Sequence, residues 1–137
     1  GAVIPMDAYR MIQQTAVLVS AVNDAGIPNN RIFVDPGLLH ITNVEGQRHL
    51  VHIIEFLRAL PDATEPPVKS TCWLANSSAG AKGQSRHAIE TALLPLLAGA
   101  GLSSVFMDAL NEQNRRALRL IKVFNNKIVY AESESLA

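Results

Sequence analysis

Apolar positions along this 137-residue chain switch between two spacings. From Asp7 to Asn23, the residues Ile12, Ala16, Val19 and Val22 recur at helical intervals, and Gly26 with Pro28 supplies a stop; this predicts a first helix. Ile32 to Val34 is a continuous apolar run too short for a helix, flanked by Asn29, Asn30, Pro36 and Gly37, and it predicts a buried parallel strand. A second helix then carries Leu50, Ile53, Ile54 and Leu57 on one face and ends before Pro61. The stretch from Pro61 to Pro67 is a loop, because adjacent prolines remove N–H donors and bias their neighbours to extended geometry. A strand from about Thr71 to Ala75 follows, then a helix with Ile89, Leu93, Leu96 and Leu97 inward and a bend expected at Pro95. A third strand is expected over about Ser104 to Met107. The last helix starts near Asn111 and should bury Ala117, Leu120, Ile121 and Phe124.

Strand alternating with helix implies parallel strands and right-handed crossovers, so the expected class is α/β in one domain spanning 1–137. Each β-branched run ends in a polar residue: Val34 before Asp35, Leu74-Ala75 before Asn76, Met107 before Asp108. Such residues would project from the carboxyl ends of buried strands, where α/β folds hold their ligands. Three parallel strands leave two edges of unpaired backbone groups, which predicts edge-to-edge association with a second copy or with a separate half.

Composition narrows the class. With 48% hydrophobic and 18% charged residues, the chain has the apolar mass for a single soluble core. Twelve Lys+Arg against twelve Asp+Glu remove the electrostatic case for nucleic acid or a membrane surface. The local excess of Arg115, Arg116, Arg119, Lys122 and Lys127 reads as a solvated helix face. One cysteine, Cys72, cannot form an internal disulfide, which fits a reducing cytoplasm, and no signal-peptide or membrane-spanning stretch is evident. Gly1, with no Met before it, reads as a cloning or processing remnant.

The order Val-Asp35-Pro, Leu-Ala-Asn76-Ser-Ser, Arg86-His-Ala-Ile and Ser-Val-Phe-Met-Asp108-Ala-Leu resembles the carboxyl half of the pterin-binding methyltransferases. That resemblance covers nearly the whole chain. It implies the later part of a TIM-type (β/α) barrel: about three parallel strands alternating with four helices. It further implies methyltetrahydrofolate as substrate and transfer of its N5-methyl group to the Co(I) of a corrinoid carried by a partner protein, in a cytoplasmic setting. By the same resemblance Asp35 reads the pterin, Asn76 lies near N5 as the catalytic group, and Arg86 and Asp108 complete the substrate contacts. The chemistry is apt: a carboxylate offers paired acceptors to the pterin 2-amino and ring N–H donors, and a carboxamide can donate to N5 or accept from it once protonated. Two departures stand out. Ala79 takes the place of a family glutamine, and the family's first five strands have no counterpart, so the isolated chain is expected to be inactive.

Other readings follow from the same residues. Asp35-Pro36-Gly37 matches the strand end of dihydropteroate synthases, but Ala75-Asn76-Ser77 replaces their usual Ser-Arg-Lys run. A non-catalytic fragment that self-associates, most simply as a homodimer, is the non-enzymatic alternative. His40, His49 and His52 cluster in sequence, yet His40 falls in a loop and no carboxylate motif frames them; His49 and His52, one turn apart, read as an ordinary helix surface rather than metal ligands. The loop Ala79-Gly-Ala-Lys-Gly-Gln-Ser85 lacks the order of a nucleotide phosphate cradle.

Overall fold

The computed structural model describes residues 7–131; Gly1 and the end of the tail lie outside them. Asp7, Asn43 and Asn111 each stand just before a helix and accept a backbone N–H three residues on, at 2.8, 2.7 and 3.1 Å. Satisfying one of the orphan donors of the first turn in this way is what starts a helix. The helices so capped are α1 (Ala8–Asp24), α2 (Val44–Ala59) and α5 (Glu112–Phe124). Two more, α3 (Leu74–Ser77) and α4 (Gln84–Ala100), have no side-chain cap. α4 runs through Pro95 and stops at Gly101, whose φ of +114° lets its N–H turn back onto the Leu97 and Ala98 carbonyls.

Two strands of two residues each, β1 (Phe33–Val34) and β2 (Lys69–Ser70), lie parallel, with Phe33 beside Lys69 and Val34 beside Ser70. The Lys69 and Thr71 N–H groups donate to the Ile32 and Val34 carbonyls. On the other side of the same stretch, the Ser70 and Cys72 carbonyls accept from Ser104 and Phe106, and Leu74 N–H donates back to Phe106. That contact is a single parallel bridge between Trp73 and Phe106, not a strand.

The expected partial barrel of three strands and four helices is therefore corrected: the chain is helix-rich, with five α-helices and only two short parallel strands among the described residues. The reason is local. Ser70 and Ser103 exchange backbone N–H to hydroxyl bonds at 3.1 and 3.0 Å, and the Ser104 hydroxyl also donates to the Ser70 carbonyl. Side chains thus take partners that a regular ladder would use. The strand expected over Thr71 to Ala75 does not form: β2 closes at Ser70, Trp73 makes only the bridge to Phe106, and Leu74 opens the short helix α3, where the Ser77 and Ser78 hydroxyls donate back to the Leu74 and Ala75 carbonyls.

The core lies between the helices and one face of this small sheet. Ile53, Phe56 and Leu57 of α2 meet Met11 and Val19 of α1 and Leu93, Leu94 and Leu97 of α4, with Cys72 and Leu74 beneath them. Some inward positions differ from the expected set. In α1, Met11, Thr15 and Val19 are buried and Ala16 is exposed; in α4, Glu90 and Leu94 are buried and Leu96 is not. In α5, Ala117, Leu118 and Ile121 pack on the core, whereas Phe124 is 78% exposed at the end of the helix. No helix among the described residues is long and apolar enough to cross a membrane.

Gly46 is indispensable to this packing. A Cβ there would sit 1.8 Å from the His40 carbonyl oxygen, and the loop holding that carbonyl is pinned by Ile41 N–H to Ser77 O at 3.0 Å and Thr42 hydroxyl to Ala79 O at 2.8 Å. Gly46→Ala should lower the unfolding free energy by about 2–3 kcal/mol in urea denaturation, since backbone must shift to admit the methyl group. Gly99→Ala, which meets open space in α4, should raise it by about 0.5–1 kcal/mol through a less costly helical backbone.

Candidate functional site

Because β1, β2 and the Phe106 segment run parallel, their carboxyl ends share one end of the molecule. Asp35 follows β1 directly, and Asp108 stands two residues past Phe106. Asn76 follows the same end of the central stretch, but within α3 and not at a strand terminus. All three are exposed. No hydrogen bond or ion pair among the described residues joins any two of Asp35, Asn76, Arg86 and Asp108, so the four do not form a closed constellation.

Local chemistry already occupies part of each carboxylate. Asp35 Oδ1 accepts the Gly37 N–H at 2.8 Å, and Asp108 Oδ1 accepts the Leu110 N–H at 2.8 Å. Each shapes its own turn, as a short acidic side chain commonly does. A carboxylate has about four acceptor positions, so one N–H leaves capacity for a ligand. Arg86, in the first turn of α4, donates from Nε to the Ser78 hydroxyl at 3.2 Å. Ser78 is wholly buried and bonded back to Ala75, so this contact ties α4 to the turn bearing Asn76.

The residue that sequence reasoning passed over is His49. It was expected on a helix surface, but it is completely buried on the inner face of α2. Its Nε2 lies 3.1 Å from the Gly37 carbonyl, which can only accept, so Nε2 carries the proton and holds the Asp35-Pro36-Gly37 turn against α2. Nδ1 is buried without a partner. Burial lowers the His49 pKa below its usual value; the Gly37 and Pro36 carbonyls offset this in part, and His52 adds to the lowering. The spacing of His49 with Ile53 and Phe56 on one helix face was the available signal. His52 instead pairs with Glu55 at 3.4 Å, and His40 is exposed.

Cys72 lies under the same rim. Burial, with a smaller contribution from the Asp35 charge, pushes its thiol up to about 12. Its side chain packs in the core.

A seam of amides fixes α5 against α4. The Asn111 amide donates to His87 Nδ1 at 2.9 Å, and the Thr91 hydroxyl donates to Asn114 Oδ1 at 3.0 Å. Asp108 is therefore placed by the cap of α5 three residues later.

A cleft beside Asp35, lined also by Thr15, Val34, Pro36 and Phe56, holds only about 100 Å³. That is well below the roughly 300–1,000 Å³ of an enclosing small-molecule site. A larger hollow of about 480 Å³, between α4, α5 and Ser103–Val105, lies at the amino end of that segment, away from the rim. No protein-family model matches this chain.

Two measurements test the roles of the buried groups. His49 binds a proton more readily unfolded than folded, so its contribution to stability is complete above pH 6.5 and is lost as pH falls below that value toward the lowered folded pKa. The unfolding free energy should fall between pH 7.5 and 5.5, and His49→Gln, which keeps a donor for Gly37, should flatten that slope; an unchanged slope removes His49 as the titrating group. Second, an aromatic disulfide reagent at pH 8 should label Cys72 in the folded protein at least about 100-fold more slowly than in denaturant.

Proposed function

We propose that the rim of Asp35, Asn76 and Asp108 receives the pterin ring of a reduced folate. On this reading the protein takes part in transfer of the N5-methyl group of methyltetrahydrofolate to the Co(I) of a corrinoid protein. One observation carries the reading: three polar residues follow three adjacent parallel segments at the same end, where α/β folds gather ligand contacts. The resemblance of the surrounding motifs to the pterin-binding methyltransferases adds the substrate class.

The chemistry assigned to each residue follows from its donors and acceptors. Asp35 offers acceptor lone pairs to the 2-amino and ring N–H groups of the pterin, and its turn with Gly37 holds the carboxylate in place. Asn76 supplies a carboxamide near N5, where hydrogen bonding assists departure of a nitrogen that would otherwise leave as an anion. Arg86 carries a cation at the start of α4, suited to a folate carboxylate. The corrinoid, held by its own protein, supplies the methyl acceptor; the residues here bind and orient the donor.

The rim is open, so binding to this chain alone is weak. Isothermal titration with methyltetrahydrofolate should give a Kd on the order of 0.1–1 mM. Asp35→Asn keeps an oxygen for the Gly37 N–H but loses the paired charged acceptor, and should weaken binding about tenfold. Absence of heat with the unaltered chain, or equal affinity in the two proteins, rejects the proposal. Equal heats with Asn76→Ala would remove only Asn76 from the binding contacts.

A further inference from the structure

A parallel sheet is ordinarily covered on both faces, because its strands are apolar on both. Here one face packs on the helices through Ser70 and Cys72, both buried. The alternating residues form a row on the other face. Phe33 stands beside Lys69, whose Nζ lies 5.4 Å from the ring centroid. Trp73 stacks on Phe106 with centroids 4.8 Å apart and planes inclined by 17°. Phe33, Trp73 and Phe106 are 50%, 55% and 52% exposed. Between the two pairs lies Thr71, buried, with a hydroxyl that has no hydrogen-bond partner. Aromatic residues of this kind are the usual anchors at the centre of protein interfaces.

Charge along this face is polar in a second sense. Lys69 marks its amino end, and Asp35 and Asp108 mark its carboxyl end. A two-fold axis lying in the face and perpendicular to the strands would bring the amino end of one copy onto the carboxyl end of another. Each Lys69 then meets the acidic end of its mate, twice by symmetry, while the aromatic rows cover one another. An axis along the strands would place Lys69 on Lys69 and acid on acid. We infer that the open sheet face, Phe33, Lys69, Trp73 and Phe106, is the interface of an antiparallel, face-to-face homodimer. Edge-to-edge pairing, the arrangement expected from the sequence, would leave this aromatic row in water. The inference goes beyond the proposed function and does not depend on folate binding; because the mate's Lys69 reaches Asp35 and Asp108, the dimer and a bound pterin compete for the same carboxylates.

Trp73 is the only tryptophan in the chain, so its fluorescence reports the face directly. Sedimentation of the full chain should show a concentration-dependent dimer, and Trp73 emission should shift to shorter wavelength over the same concentration range. Lys69→Glu and Asp108→Lys should each raise the dimer dissociation constant by about tenfold or more through like-charge contacts. Mixing the two variants should restore association. In the mixed dimer the new carboxylate of one copy faces the new ammonium of the other, and the native Lys69 and Asp108 still meet on the opposite side. Circular dichroism of each variant checks folding before mixing. A monomer at all concentrations with solvent-exposed emission overturns the inference. So does a dimer whose Trp73 emission does not change with association, which marks an edge or helix contact, and so does a failure of the two folded variants to rescue each other.

Discussion

The backbone between Lys69 and Leu74 is bonded on both sides. Its N–H groups at 69 and 71 reach Ile32 and Val34, its carbonyls at 70 and 72 receive Ser104 and Phe106, and Leu74 returns a bond to Phe106. A central extended segment alternates the direction of its polar groups, so six residues can hold a neighbour on each flank. α2 and α4 cover its inner face, α3 begins where it ends, and the turns of Asp35 and Asp108 emerge beside it.

The loops at the carboxyl end are held by a few bonds of different kinds. His49 grips the Gly37 carbonyl from within the core, Thr42 and Ile41 tie the first loop to the α3 turn, and Arg86 ties α4 to Ser78. Gly46 admits the close approach of His40 that this arrangement demands. These bonds support the rim from below while its outward chemistry stays open. An arrangement of this kind suits a surface that is completed by something else, either a ligand gripped from one side or a partner laid across the face.

The helices were largely legible. The start near Asn111, Pro61 as a stop, and the spacing of Ile53 and Leu57 or Leu93 and Leu97 all act within a few residues, where hydrogen bonding and periodicity are local. The strands were legible only as apolar runs. Whether such a run becomes a strand depends on its neighbour, and Ser70 with Ser103 diverted the bonds that would have extended the third one. Asp35 and Asp108 could be placed at segment ends from their position after apolar runs. Asn76 could not be placed correctly, because the helical turn of α3 depends on serine hydroxyls folding back onto the preceding carbonyls.

By itself, then, the chain's pattern determined the four longer helices, the parallel sense of the connections, and the polar residues that end each apolar run. Tertiary structure alone decided that Phe124 and Leu96 face outward, and that Phe33, Trp73 and Phe106 form one uncovered row. The physical reason is the range of the forces. Capping and helical periodicity act over three or four residues, whereas burial and strand pairing depend on which distant segment arrives alongside.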